Sequence, residues 1–459
     1  MTVDLVIRGG TVVTADGARR LAVAVQGETI AALDRDDAMP PAREVLDADG
    51  LYVLPGVIDT HTHLREPGNT DREDWETGTR AAAAGGVTTV LEMPTASPPV
   101  NAAGVLVTRA ARVQPRAYVD FGLYGGASAD NLADLLPLAE AGAVAFKTFR
   151  TRAFPGREGE FLGICCPDAG GMWQAMAETA RTGRFHVVHA EEQQVLDAAY
   201  ARVRAQGLRG GPAHAAARPE VAEVASVAQC LALAASVGTR IQFAHLSTRA
   251  AVDLVAAARD RGVRATVETC PHYLTFSEET LEAWGPLAKS DPPLRPRETV
   301  EQLWEAVRAG LVDVIGSDHA PFTLEEKQRG ADDIFQAPSG IAGLELLLPL
   351  MLTHVHAGRL SLPALVRLTS ENPARLFGLW PRKGRLAVGA DADLVIVDLH
   401  AERIQDHRRM HTKAAATARL FDGIRLRGLP VYTLIRGRVV MRQGEVVGPR
   451  GWGRWVRPT

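Results

Sequence analysis

A chain of 459 residues is long enough for a large barrel with an accessory domain. Its 46% hydrophobic and 23% charged residues are those of a globular protein, and a net charge of -3 offers no basic face to nucleic acid. Four cysteines (Cys165, Cys166, Cys230, Cys270) form neither a disulfide framework nor a Cys-x-x-Cys pair, the N-terminus lacks a signal pattern, and no charge-free run reaches membrane-spanning length. The expectation is a cytoplasmic protein with no membrane partner.

Residues 3 to 53 read as short strands and turns: Asp4 to Gly10, Thr11 to Gly17, Leu21 to Val25 and Thr29 to Leu33, each closed by Gly or Asp. The same texture returns in Gly384 to Val388, Ala392 to Asp398 and Thr433 to Val447. Two β-rich ends around a different middle predict one small β-sandwich domain assembled from residues 1–54 and 382–459.

The middle, residues 55–381, alternates. Strand-like apolar runs fall at Val53 to His61, Thr88 to Met93, Val119 to Tyr124, Ala143 to Phe149, Phe185 to His189, Ile241 to His245, Ala265 to Thr269 and Val312 to Ser317. Segments with helical spacing lie between them: Trp75 to Ala84, Asn131 to Ala141, Val221 to Ala235, Ala250 to Arg259 and Val300 to Ala309. Eight strands interleaved with helices predict an α/β fold, the (β/α)8 TIM barrel. A doubly wound open sheet is the alternative, and the absence of Gly-x-Gly-x-x-Gly after the first strand argues against it.

Polar residues fall at strand ends. His61 and His63 close the first strand, where residues i and i+2 share a face. Lys147 sits in the fourth, His189 ends the fifth, His245 the sixth, and Asp318 follows the eighth. Barrel active sites are built at C-terminal strand ends, so these six side chains would converge. Each alone reads as a satisfied core residue or a cap. Together they read as a metal site, because an uncompensated Lys and Asp within a strand-lined core would be very costly.

Lys147 repels cations while it is an ammonium, but a buried lysine prefers to lose its proton, and the neutral amine can add carbon dioxide. The resulting carbamate has two oxygens able to bridge two cations. His61, His63 and Asp318 would hold one metal, His189 and His245 the other, with carboxylated Lys147 between them. Nitrogen and carboxylate ligands without thiolate suit two divalent ions, Zn first, with Mn, Co or Fe as alternatives.

The motifs Pro55-Gly-Val-Ile-Asp-Thr-His-Thr-His, Phe146-Lys-Thr-Phe, Val188-His-Ala-Glu, Ala244-His-Leu-Ser, Glu268-Thr-Cys-Pro-His-Tyr-Leu and Gly316-Ser-Asp-His-Ala-Pro-Phe resemble the cyclic amidohydrolases: allantoinases, hydantoinases and dihydroorotases of the amidohydrolase superfamily. The resemblance extends over nearly the whole chain. It implies hydrolysis of a small cyclic amide by hydroxide bridging the metals, with Asp318 as both ligand and proton shuttle. It also implies a homodimer or homotetramer, and ring-holding groups at Ser290, Asp291, Ser339 and Gly340.

Most local motifs lean toward allantoinase and hydantoinase relatives. Arg65 occupies the place where dihydroorotases present a guanidinium to the substrate carboxylate, which keeps that activity as the alternative; pairing with Glu66 or Glu73 is the competing structural reading. Two companions of the dihydroorotase pattern are missing, since Thr95 and Phe322 stand where Asn and His are expected. Arg152 stands where some hydantoinases place an oxyanion-donating tyrosine. The loops Glu66 to Trp75 and Arg150 to Asp168 are expected to cover the pocket and set specificity. A catalytically silent scaffold and a superfamily deaminase are rival readings; the complete ligand set opposes the first and Lys147 the second.

Overall fold

The computed structural model describes residues 2–459. In it the run expected as one strand from Val53 to His61 is two strands, Tyr52–Pro55 and Val57–Thr62, separated at Gly56. A Cβ on Gly56 would collide with the Thr88 side chain, so only glycine lets the chain pass from one sheet to the next here. The first segment serves a β domain and the second opens the barrel.

Eight parallel barrel strands follow in chain order: β1 (Val57–Thr62), β2 (Val87–Glu92), β3 (Asp120–Leu123), β4 (Phe146–Phe149), β5 (Phe185–His189), β6 (Arg240–Phe243), β7 (Ala265–Thr269) and β8 (Val314–Ile315). Neighbours pair in parallel register except β3 and β4, where Gly125–Gly126 just after β3 makes the pairing with β4, and β8 closes on β1 through the Thr62 and His319 bridge, where the His63 N–H donates to the His319 carbonyl at 2.9 Å. Asp59 helps seal that seam, accepting from the N–H of Ser317 at 2.9 Å and of His61 at 3.1 Å. All six residues of β1 are buried, as expected where a parallel sheet is covered on its outer side by helices. Helices Trp75–Ala84, Glu220–Val237, Arg249–Arg259 and Arg297–Arg308 match the periodic segments of the sequence to within a few residues. The stretch 211–237 is apolar enough to cross a membrane by length and composition. In the fold, Ala222, Val227, Cys230 and Ala234 of this stretch are buried as part of the barrel's outer helical layer.

The β domain is two sheets. One orders Thr29–Asp34, Ala22–Gln26, Val3–Arg8 and Ala42–Asp47; the other runs from Glu445–Val446 through Arg425–Ile435, Leu394–Ile404 and Tyr52–Pro55 to Gly17–Arg20. Leu5, Ile7, Val23 and Ile30 from the first meet Val12, Val53, Ile396 and Leu434 from the second, which makes the pair a sandwich. The stretch Gly384 to Val388, expected as a strand, is turn and bend instead. Its neighbour Lys383 is drawn into a buried ion cluster, with Nζ 2.7 Å from Asp120, 2.9 Å from Asp391 and 2.5 Å from Asp393, so the backbone there follows the lysine and not a sheet edge. The final residues return to the barrel: the Phe121 N–H donates to the Arg454 carbonyl at 2.9 Å and the Val456 N–H to the Phe121 carbonyl at 2.8 Å.

Candidate metal centre and active site

All six ligand candidates gather at the C-terminal ends of the barrel strands. His61 Nε2 and His63 Nε2 lie 3.3 and 3.5 Å from Asp318 Oδ1. His189 Nδ1 lies 3.1 Å from His245 Nε2, and the His61 and His245 rings are 5.2 Å apart. Two donors bound tetrahedrally to one ion at about 2.0–2.1 Å stand about 3.3 Å from each other, so these pairs have the separation that a shared cation requires.

The far sides of the rings fix their tautomers. Glu268 accepts from His61 Nδ1 at 2.8 Å and is itself held by the Thr60 hydroxyl at 2.5 Å. Glu191 accepts from His189 Nε2 at 2.9 Å and is ion-paired to Arg218. Carboxylates of this kind leave the opposite nitrogen unprotonated and aimed inward, as ligating histidines need. His63 Nδ1 shares a 2.7 Å hydrogen bond with Thr95 Oγ1, so Thr95 orients a ligand as well as lining the pocket. Burial drives the pKa of His63 and of His245 well below the usual value, which keeps both available as neutral ligands.

Lys147 is fully buried at the centre, and its Nζ has no hydrogen-bond partner among the described residues. Burial, which Glu268 only partly offsets, lowers its pKa to about 8. His245 Nδ1 is likewise unpartnered. Orphaned buried nitrogens beside converged ligands are what a metal centre with a modified lysine would satisfy, so the residues fit the group. His245 and Asp318 hold left-handed backbone, with φ of +41° and +44°, and Arg65 a φ of +61°. Non-glycine residues take such conformations where a site requires their direction.

The inner pocket, about 50 Å³, is lined by the histidines and Asp318 together with Arg65, Thr95, Asp291, Ser339 and Gly340. Its neck opens into an outer cavity of about 720 Å³. Gly340 has a φ of +155°, and a Cβ there would strike the Ala320 carbonyl, so glycine is needed to bring this backbone to the pocket wall. Ser290 lines neither cavity: its hydroxyl donates to the Pro292 carbonyl at 2.9 Å and its own carbonyl accepts from His214 Nε2 at 2.9 Å. Arg152 stands on the outer rim, 62% exposed and ion-paired to Asp197, because its loop turns outward after Thr151. It does not reach the inner pocket.

Arg65 pairs with neither Glu66 nor Glu73. Glu66 is taken by Arg116 and Arg112, and Glu73 by His319 and Thr412. The Arg65 Nε donates to the Pro321 carbonyl at 3.2 Å and its guanidinium lies 4.7 Å from the Phe322 ring centroid. Burial, joined by the repulsion of Arg157, brings its pKa down to about 9. Over the pocket, Arg157 binds Glu160 at 2.7 Å, Glu160 binds Arg72 at 3.1 Å, and Arg72 binds Glu326 at 2.7 Å, tying three loops together. Glu191, Glu268, Arg157 and Arg218 carry no assigned role in the sequence reading. The first two sit inside quoted motifs two residues after His189 and at the end of β7, which is the signal available for them.

Barrel and ligand set together define the class: a hydrolase with a metal-binding centre at the top of a TIM barrel. Residues 52–440 match the model of the Amidohydrolase family. The chain is 41% identical over 460 residues to an allantoinase of Rubrobacter xylanophilus, covering 99% of this chain and 98% of that protein. It is 35% identical over 458 residues to an L-hydantoinase of Paenarthrobacter aurescens, with 99% and 98% covered. The solved L-hydantoinase (dihydropyrimidinase) from Arthrobacter aurescens superimposes with a TM-score of 0.95 at 34% identity, over 99% of this chain and 100% of that one. The chain belongs to the amidohydrolase family and is a hydrolase.

Proposed function

We propose that this enzyme opens the amide bond of a cyclic ureide or imide of the allantoin or hydantoin kind. The observation that carries the reading is the convergence of His61, His63, His189, His245 and Asp318 on one pocket that opens into a wider cavity, with the His61, His63 and His189 rings held from behind by Glu268, Thr95 and Glu191. His61, His63 and Asp318 would hold one divalent ion, His189 and His245 a second, with carboxylated Lys147 between them. Zinc suits this donor set first, and Mn, Co or Fe also suit it. Bound there, the pair would polarise a ring carbonyl and activate water.

The chain's own part is positioning and proton transfer. Asp318 is buried, and burial raises its pKa above the ordinary carboxylate value. That suits a group which accepts a proton from water and returns it to the departing ring nitrogen. Ser339 and Gly340 would bring backbone to the ring, and the inner pocket, about 50 Å³, leaves room for a small group only. Four free cysteines suit a cytoplasmic setting, and a homodimer or homotetramer is the assembly we propose.

The test is metal analysis of protein purified without chelator, followed by a panel of allantoin, both enantiomers of a 5-substituted hydantoin, dihydrouracil and dihydroorotate. About two metals per chain and ring opening of an uncharged ureide are expected. A metal-free chain inert toward the whole panel would sink the reading.

One observation favours a second substrate. Arg65 is buried on the inner pocket with no carboxylate partner among the described residues, the state of a guanidinium awaiting an anion. On that reading dihydroorotate is cut, and Arg65→Ala reduces its turnover far more than that of uncharged rings. Equal losses would remove this alternative.

A further inference from the structure

The two halves of the centre are supported differently from behind. Glu268, which accepts from His61, is itself held by two neutral donors, the Thr60 hydroxyl at 2.5 Å and the Gln242 amide at 3.2 Å. His63 rests on the Thr95 hydroxyl. On the other side, Glu191 takes both His189 Nε2 and the Arg218 guanidinium on one oxygen, Oε2, while its Oε1 is buried without a hydrogen-bond partner among the described residues. The direction of Glu191, and through it the tilt of the His189 ring, thus depends on one guanidinium.

The chain sets Arg218 for this task. It lies between the helices Gly211–Ala217 and Glu220–Val237, and Pro219 after it confines its backbone to extended conformations. Its carbonyl accepts from Arg295 at 2.7 Å, which fixes the main chain from a second side. The side chain runs inward, 15% exposed, with Glu191 against Nη1 and Asp291 Oδ1 2.9 Å from Nε. A guanidinium offers its N–H groups in a rigid planar fork, so one that spans two carboxylates fixes the place of both. Neither the first-ion ligands His61, His63 and Asp318 nor their supports Glu268 and Thr95 form an ion pair or hydrogen bond with Arg218 among the described residues.

We propose that Arg218 is a positioning residue for the second metal ion: by holding Glu191 it keeps the His189 ring at the angle that ion requires, and it leaves the first ion unaffected. This rests on the two-ion reading above. The position formed by His61, His63 and Asp318 has one more ligand than the position formed by His189 and His245, so it fills first. Arg218 therefore governs the second dissociation constant. Groups behind ligating histidines are worth about 10- to 100-fold in metal affinity, which sets the size of the effect.

The experiment dialyses holoenzyme against zinc buffered at graded free concentrations in bicarbonate, with bound zinc read by elemental analysis and melting temperature alongside. Wild type, Arg218→Gln, Glu191→Gln and the double variant are compared. Arg218→Gln should need at least about tenfold more free zinc to fill the second position, with the first within about threefold of wild type. Because both residues act along one path, the double variant should fall within about threefold of the weaker single variant. Equal weakening of both ions would mark a general loosening and overturn the proposal, as would an unmoved second step or additive losses. If Arg218→Gln does not fold, Glu191→Gln is set against the double variant, which keeps the net charge of the wild type. There a second step weakened by Glu191→Gln and moved less than about threefold by the further change supports the proposal, and any other result overturns it. A wild type that takes up a single ion removes the two-ion reading and the proposal with it, whereas two ions in the wild type with an indifferent variant remove the proposal alone.

Discussion

Lys147 concentrates the chemistry of this fold in one amine: burial lowers its pKa to about 8, and no neighbour satisfies it. Lys147→Ala should reduce bound metal from about two ions to one or fewer per chain and cut turnover by at least about 100-fold, read by elemental analysis and steady-state kinetics. Full metal content in the variant would exclude the lysine as a bridge. A second residue reports on pH. His186 is wholly buried and burial holds its pKa at about 3, so between its unfolded value near 6.5 and about 3 the unfolded chain binds a proton that the folded chain refuses. Its contribution is intact above the unfolded value and is lost as pH falls through that window, at about 1.4 kcal/mol per pH unit. Urea denaturation at pH 7.5 and 5.0 should show the wild type losing about 2 kcal/mol more than His186→Gln. At this scale the clustering of the six ligand candidates was legible because His, Lys and Asp at strand ends are rare unless used. Glu191, Glu268 and Arg218 were not, since a carboxylate or guanidinium acquires its role only from the partner that folding sets behind it. Arg152 was misplaced because nothing in a run of loop residues tells which way the chain turns.

Eight strands and their interleaved helices could be read from apolar runs because a parallel barrel strand is buried on both faces and so is continuously hydrophobic. The breaks were harder. Gly56 splits a single apolar run between two sheets, and the run itself carries no mark of where the partner strands end. The turn at Ser339 and Gly340 was placed by motif, whereas its need for glycine comes from the Ala320 carbonyl across the loop. Gly340→Ala should therefore move the pocket wall rather than unfold the barrel. The expected result is a kcat/KM at least about tenfold lower, with a melting temperature shifted by only a few degrees. A fully active Gly340→Ala enzyme would show that this backbone has room to adjust.

Over the whole molecule, the β domain and barrel are joined by charge as well as by shared strands. Lys383 lies among Asp120 from β3 and Asp391 and Asp393 from the domain junction, with Arg436 also on Asp120. Removing one partner of a buried ion cluster leaves like charges facing one another without water. Lys383→Met should cost about 3–5 kcal/mol in denaturant titration with the metal site unaltered in composition. An unchanged midpoint would mean that the acids relax into solvent. None of this joint was foreseeable from spacing, because its members come from four separate stretches of chain. The paired β-rich termini did point to a domain built from both ends, by texture alone.

The short pairing of Phe121 with Arg454 and Val456 places a piece of the far end inside the wall laid down first. A ribosome making this protein would release most of the barrel before the segment that seals β3 emerges. Any fragment ending ahead of residue 454 leaves that edge open, so activity should arise only after that segment has emerged.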